Sequence, residues 1–425
     1  MRIWRGLTTL LFVVALTMMQ ISLTFALLSL LSMPANASPT LSFLRLFTGA
    51  QGEGANALLG FTAADGTVFG VTADGGQYGS GTVFTLSPPA QSGAQWTETI
   101  LYNFTGGADG KTPVSLTMDR QGVVYGTAIA GGSTNEGVVF KLAPDGHGGW
   151  VQSVVYNFTG EYDGGYPLFG VTSDAAGNLY GATYFGGDRA CDAGCGVVFR
   201  LSPNGSGWRQ TTLHVFHKDS AGYTPAGALT LHDGKLYGST MFSDQGWGVV
   251  FELGTAHRKY SVIYTFQGGR NNFVWSNPVI FDSVGNIYST TVGGGAPRCR
   301  CGEVYELSPP TGGQTTWTKS QLYAFTDRAD GKGLFDAPIF GTDGNLYGVT
   351  VAGGTKNGCW GNGGCGTIYR LSQQNGQWTK STVYAVGSHY IYPRGLIRGP
   401  QGALLGRVTN HIQPGGVAIF ALHGY

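Results

Sequence analysis

Charge is the first thing this sequence has little of. Only 12% of its 425 residues are Asp, Glu, Lys or Arg, against about a quarter in an ordinary soluble protein. The two signs nearly cancel, with 25 Lys and Arg against 24 Asp and Glu. There is no basic footprint for a phosphate backbone, which excludes nucleic acid as a partner, and no acidic field to steer cations. Helical patterning is missing too: after position 40 no ten-residue stretch repeats its apolar residues with a helical period, so helices cannot be what covers the apolar segments. Glycine runs such as Gly75-Gly76 and Gly293-Gly294-Gly295 have no helix after them and are not phosphate loops. The eight histidines show no metal spacing. Only His214 and His217 stand close together, on an expected outer strand, where a solvent-facing or edge role is the plain reading.

Past the first 37 residues there is no apolar run of membrane-spanning length. Those 37 residues are a separate object. Arg2 and Arg5 give a positive start, Leu10 to Leu31 is uncharged and mostly apolar, and Ala35-Asn36-Ala37 forms a small-x-small cleavage site before Ser38. The pattern predicts a signal peptide over 1–37 and an exported protein, extracellular, at the cell surface or periplasmic. The apolar run is long enough to cross a bilayer, so retention as an N-terminal membrane anchor is the alternative. Residues 38–425 would then touch membrane only through that segment.

What is abundant is glycine, 72 residues, alongside 23 Phe, 21 Tyr and 9 Trp. The glycines punctuate a repeat. An apolar-aromatic-Gly word recurs as Val68-Phe69-Gly70, Val124-Tyr125-Gly126, Leu179-Tyr180-Gly181, Leu236-Tyr237-Gly238, Ile287-Tyr288-Ser289, Leu346-Tyr347-Gly348 and Leu404-Leu405-Gly406, roughly every 55 residues, a spacing known for propeller blades and some solenoids. Seven such periods fill 38–425, which predicts one repeat domain with nothing left over. Each copy holds four short strand signals separated by Gly, Pro, Asp and Ser. The third recurs as Val83-Phe84, Val139-Phe140, Val198-Phe199, Val250-Phe251, Val304-Tyr305, Ile368-Tyr369 and Ile419-Phe420. Strands apolar on both faces need cover on both sides. Without helices, neighbouring sheets must cover one another, and a closed ring does this. The expected fold is all-β: a seven-bladed β-propeller of four-stranded antiparallel blades. The first segment after the leader, Leu41 to Phe47, matches a fourth strand, and the chain ends on a third strand. The opening segment is therefore expected to pair beside Val417 to Leu422 and complete the last blade, sealing an edge.

The words Gly-Gly, Gly-x-Val-Phe-x-Leu-x-Pro, Leu-Tyr-x-Phe, Asp-Gly-x-x-Pro and Asp-x-x-Gly-Asn-Leu-Tyr-Gly-x-Thr recur in that order over about residues 41 to 422. In this the chain resembles the GloVer-type tandem repeat of bacterial choice-of-anchor surface proteins. Departures are Gly-Gly lost before Trp247, Ser289 in place of glycine, and Leu405 and Val386 in place of aromatics. The resemblance implies an exported bacterial protein of β-propeller-like fold and implies no particular activity.

Six cysteines form close pairs, Cys191 with Cys195, Cys299 with Cys301 and Cys359 with Cys365, each in the loop just before a third strand. In an exported chain they read as three local disulfides stiffening long hairpin loops, with a strained bridge at Cys299–Cys301. Loops between second and third strands, and between one blade's fourth strand and the next blade's first, share one face of a propeller. They carry Tyr166, Tyr184, Phe185, Tyr223, Trp247, Trp275, Trp360 and Tyr392, with Asp163 and Asp330 in Asp-Gly turns. Aromatic rings with a few polar groups suit sugar faces or peptide side chains, although aromatics at strand ends also serve blade packing and Asp-Gly is ordinary turn chemistry. These residues are the expected ligand-binding set, for a glycan or a protein. No catalytic residue, metal or cofactor is assigned. The balance is against an enzyme, a monomer is expected, and the alternative is an extracellular polysaccharide hydrolase or lyase with its site in the central funnel.

Overall fold

A computed structural model describes residues 39–425 apart from 51, 92–93, 268–274, 297–298, 313–315, 328, 355–358, 360–362, 388 and 411–415. The leader expected over 1–37 lies outside the described residues. Leu41–His423 form one compact unit, built of seven antiparallel sheets. Among the described residues the only helical segment is a single 3-10 turn, Pro400–Gly402, and no helix is long and apolar enough to cross a membrane.

The blades follow the repeats. Blade 1 runs Gly54–Thr62, Val68–Gly75, Thr82–Ser87 and Thr97–Asn103, and blade 2 runs Lys111–Met118, Val124–Ala130, Val138–Pro144 and Trp150–Asn157, each strand beside the next in sequence. In blade 4 the first strand is split into Tyr223–Pro225 and Thr230–His232, both paired with Lys235–Phe242, so that sheet counts five pieces. First strands of neighbouring blades pack on one another, as Gly54–Thr62 does on Lys111–Met118 and on Tyr390–Arg398, so the first strands line the axis of the ring. Blade 7 is assembled from both ends of the unit: Thr40–Phe47 lies beside Val417–His423, followed inward by Leu404–Asn410 and Tyr390–Arg398. The expected clasp is there, and Phe47, fully buried, lies tilted against Phe84 of blade 1 with ring centroids 4.8 Å apart.

The recurring words have physical causes. In the apolar-aromatic-Gly word, a side chain at glycine would collide with the third-strand ring of the same blade: Phe84 at Gly70, Phe140 at Gly126, Phe251 at Gly238. The glycine lets that ring lie flat across the sheet, where it packs against the preceding blade through edge contacts such as Phe104–Phe140 at 5.0 Å and Phe158–Phe199 at 5.1 Å. The threonine two residues later is a polar fastener. The buried Oγ1 of Thr72, Thr183, Thr240, Thr291 and Thr350 accepts the amide of the first residue of the third strand at 3.1–3.2 Å. A tryptophan opening the fourth strand repeats as well. Trp150 lies against Phe69 of the preceding blade at 6.0 Å, Trp208 against Tyr125 at 6.0 Å and Trp378 against Tyr288 at 6.3 Å. Interiors of this kind hold the ring by area removed from water, on the order of 2 kcal/mol for each large side chain fully buried.

Candidate ligand-binding face

The two ends of the ring are built differently. At one end, first and second strands join through short turns closed by an aspartate. The Asp174 carboxylate accepts the amides of Ala176 and Asn178, the Asn178 side-chain amide and the Tyr180 hydroxyl, at 2.8–2.9 Å. Asp282 repeats this with Val284, Asn286 and Tyr288, and Asp343 with Asn345 and Tyr347. Burial works against the charge on Asp174, yet the bonds from Asn178, Tyr180 and Ala176 outweigh it and hold the carboxyl below its ordinary range. These carboxylates are consumed by their own turns.

At the opposite end lie the cysteine loops and the blade-to-blade connections. Here, among the described residues, five of the seven seams carry one repeated bond. The residue just before the glycine that opens the third strand offers its carbonyl to the residue entering the next blade's first strand: Thr112 to Ser80 at 3.0 Å, Tyr166 to Glu136 at 2.8 Å, Thr224 to Cys195 at 2.9 Å, Gly333 to Cys301 at 3.1 Å and Tyr392 to Cys365 at 3.2 Å. Thr112, Tyr166, Thr224 and Tyr392 adopt positive φ of 56–57° there, and proline follows each. Cys191–Cys195, Cys299–Cys301 and Cys359–Cys365 are paired, with Cα atoms 5.1, 5.2 and 5.3 Å apart. In every pair the second cysteine is the buried seam residue, so the bridges anchor long loops to the points where blades meet.

The expected ligand set divides on this face. Tyr166 and Tyr184 come together in blade 3, with ring centroids 6.4 Å apart, and Phe185 fills the angle between them at 5.4 and 4.8 Å. The Tyr184 hydroxyl reaches Met241 Sδ of blade 4 at 3.7 Å, and Tyr223 lies 5.6 Å from Phe242. All six side chains are half-buried; Tyr166, Tyr184, Phe185 and Met241 form one group across the seam of blades 3 and 4, and Tyr223 with Phe242 forms a second pair within blade 4. Trp247 packs against the core cluster at the seam of blades 4 and 5, and the Trp275 carbonyl accepts the Val292 amide of its own blade. Tyr392, 43% exposed, belongs to blade 7. Trp360 lies outside the described residues.

Asp163 and Asp330 are engaged in turns. Asp163 accepts the Tyr156 hydroxyl at 3.0 Å and both the amide and hydroxyl of Thr159. Asp330 does the same with Tyr323 and Thr326, and burial followed by the Asp330 charge pushes the Tyr323 hydroxyl up to about 12. His214 also differs from the solvent-facing role read from the sequence. It stacks flat on Tyr260 with centroids 4.0 Å apart, and burial, then the nearby His217, drops it to about 4. His217 is exposed and bonds Asp188 at 2.6 Å.

Met241 and Phe242 were not singled out from the sequence. The signal exists in the aligned copies: three and four places after the repeat glycine stand Ala73-Asp74, Ile129-Ala130, Val292-Gly293 and Val351-Ala352, but Tyr184-Phe185 and Met241-Phe242 in blades 3 and 4. Large side chains occur at both places only in these two neighbours.

A closed ring of seven repeat-encoded sheets defines a β-propeller of repeat type. The chain belongs to the Gloeobacter/Verrucomicrobia repeat family, whose pattern matches residues 30–244 and 242–424. No curated protein matches the sequence. Among solved structures the chain is similar to the extracellular domain assigned to a hybrid two-component system of B. thetaiotaomicron, with 11% identity and a TM-score of 0.51 over 90% of this chain and 43% of that one. It is similar to puromycin hydrolase, with 13% identity and a TM-score of 0.49 over 84% of this chain and 50% of that one. It is also similar to a protein assigned as a 6-phosphogluconolactonase from Bacteroides uniformis, with 16% identity and a TM-score of 0.46 over 84% of this chain and 92% of that one. At such identities the likeness is one of fold.

Proposed function

We propose that the protein is an exported binding module that recognises a glycan through the aromatic patch of blades 3 and 4. The observation carrying this reading is the grouping of Tyr166, Tyr184, Phe185 and Met241 across one seam, with the Tyr223–Phe242 pair in the adjoining blade, half-buried side chains at places where no other blade has two large residues. Ring faces stack on the apolar faces of sugars, and tyrosine hydroxyls at their edges accept and donate to sugar hydroxyls. Export is supported by the Ala-x-Ala site before Ser38 and by three paired cysteine loops, which persist in an oxidising compartment. The two carboxylates of the expected set, Asp163 and Asp330, are occupied in turns, which favours binding over hydrolysis.

The test is a glycan array probed with the purified protein, followed by titration of the best oligosaccharide against wild type, Tyr166→Ala and Tyr184→Ala. Each substitution is expected to weaken binding about ten-fold or more, as loss of a stacking ring does. Binding that survives both substitutions, or cleavage of the oligosaccharide by wild type, overturns the reading.

A further inference from the structure

One position of the repeat breaks its own rule. The residue after the repeat glycine sits on the second strand of a blade, and in six blades it is small and buried: Val71, Thr127, Ala182, Ser239, Thr290 and Val349 are all 0–3% exposed. In blade 7 it is Arg407, and it is only half-buried. Arg407 is mid-strand in Leu404–Asn410, between the first and third strands of a sheet whose faces are covered by its neighbours. It stands beside the first strand, and the first strands line the axis. Its register partner on the first strand is another arginine, Arg394. Arg394 donates through Nε to Asp336 of blade 6 at 2.8 Å, and Asp336 also accepts the Gly395 amide at 3.2 Å. Two guanidinium groups thus share one carboxylate, and that carboxylate is held by Arg394. Among the described residues the Arg407 side chain has no hydrogen-bond or ion-pair partner. A side chain built on the neighbouring Gly395 would meet nothing within 4 Å, so there is room beside the pair.

We propose that Arg407, backed by Arg394, is an anion-recognition site on the propeller axis that takes the carboxylate of an acidic sugar unit. The identity of the anion as part of a sugar rests on the glycan reading above; the anion site itself does not. An arginine placed where six sister blades put a small buried residue gives up hydration and gains no partner in the free protein. Burial, with Arg394 as a like charge, pulls Arg407 down to about 10, and Asp336 only partly offsets this. A planar carboxylate matches the guanidinium fork with two parallel bonds and would cancel the surplus positive charge.

The test is calorimetric titration with a tetragalacturonide, its fully methyl-esterified form, and inorganic sulfate, against wild type, Arg407→Gln and Tyr184→Ala. Wild type is expected to bind the free acid at least ten-fold more tightly than the ester. Arg407→Gln should lose about 10- to 100-fold on the acid, the cost of one charge-assisted pair, and nothing on the ester. Tyr184→Ala should weaken acid and ester alike. Because Arg407 is unpartnered, Arg407→Gln is expected to melt at or above the wild-type temperature, which separates lost recognition from misfolding. Equal binding of acid and ester by wild type overturns the anion site and leaves the aromatic reading standing. Acid-selective, Arg407-dependent binding indifferent to Tyr184 supports the anion site and removes the aromatic one. Sulfate binding as tight as the acid, abolished by Arg407→Gln, overturns the sugar carboxylate in favour of a simple oxyanion. No binding of any probe overturns the proposal.

Discussion

The turns closing the first two strands and the loops at the opposite end of the same blades belong to one repeat, yet from blade to blade the former recur and the latter vary. Asp174, Asp282 and Asp343 make nearly the same set of bonds in blades 3, 5 and 6. At the other end, the residues entering the first strands share one backbone bond but differ freely in side chain: Thr112, Tyr166, Thr224, Gly333 and Tyr392. Where the backbone does the joining, the side chain is released from the fold. A repeat protein can then vary one face without disturbing its packing, and it is on that face that the rings of blades 3 and 4 gather.

The comparison breaks most severely inside the blades. Gly126→Val would drive a side chain into Phe140 and is expected to destabilise the domain by about 3 kcal/mol or more. Phe47→Ala, which empties the clasp of blade 7, should cost about 3–4 kcal/mol. Both are read as lowered midpoints in urea unfolding, and a change under 1 kcal/mol for Phe47→Ala would mean that the N-terminal strand does not close the ring. His214 gives an effect of intermediate size. Its folded value, about 4, lies below the ordinary histidine value of 6.5, so the unfolded chain binds the proton more readily. Its contribution is intact above pH 6.5 and is lost as pH falls toward 4, on the order of 1–3 kcal/mol. His214→Phe, which keeps the stack on Tyr260, should flatten the stability profile between pH 7 and pH 4.5.

Asp174→Ala should cost about 1–2 kcal/mol, because two backbone amides and a tyrosine lose their acceptor. It should leave glycan binding untouched. Tyr184→Ala should do the reverse, shifting stability by about 1 kcal/mol or less while abolishing most binding. If Asp174→Ala abolished binding, the division between the two ends would be wrong.

Much of this was legible in the amino-acid order. Seven copies of the aromatic-Gly word, no helical period and a lone fourth strand at the start require a closed ring, because the sheets have no other cover. Disulfide pairing followed from spacing and from the export expected of the leader. The site was less legible for a physical reason: the residue types that bind also build. Asp163 and Asp330 look like ligand groups in sequence, and only coordinates reveal Tyr156 and Tyr323 already bonded to them. His214 reads as an edge residue until Tyr260 of the next blade covers it. Arg407 could have been found, since it interrupts a column of Val, Thr, Ala, Ser, Thr and Val, but its meaning depends on Arg394, set beside it by the strand pairing of blade 7, and on Asp336, which arrives only when blades 6 and 7 meet.

Hydrogen exchange with and without the oligosaccharide selected on the array is the most direct measurement of where recognition lies. Slowed exchange is expected over 162–167, 183–187, 221–226 and 240–242, with the aspartate-closed turns at 173–178, 282–286 and 341–345 unchanged. Protection centred on those turns, with 183–187 and 240–242 exchanging as before, would contradict the account.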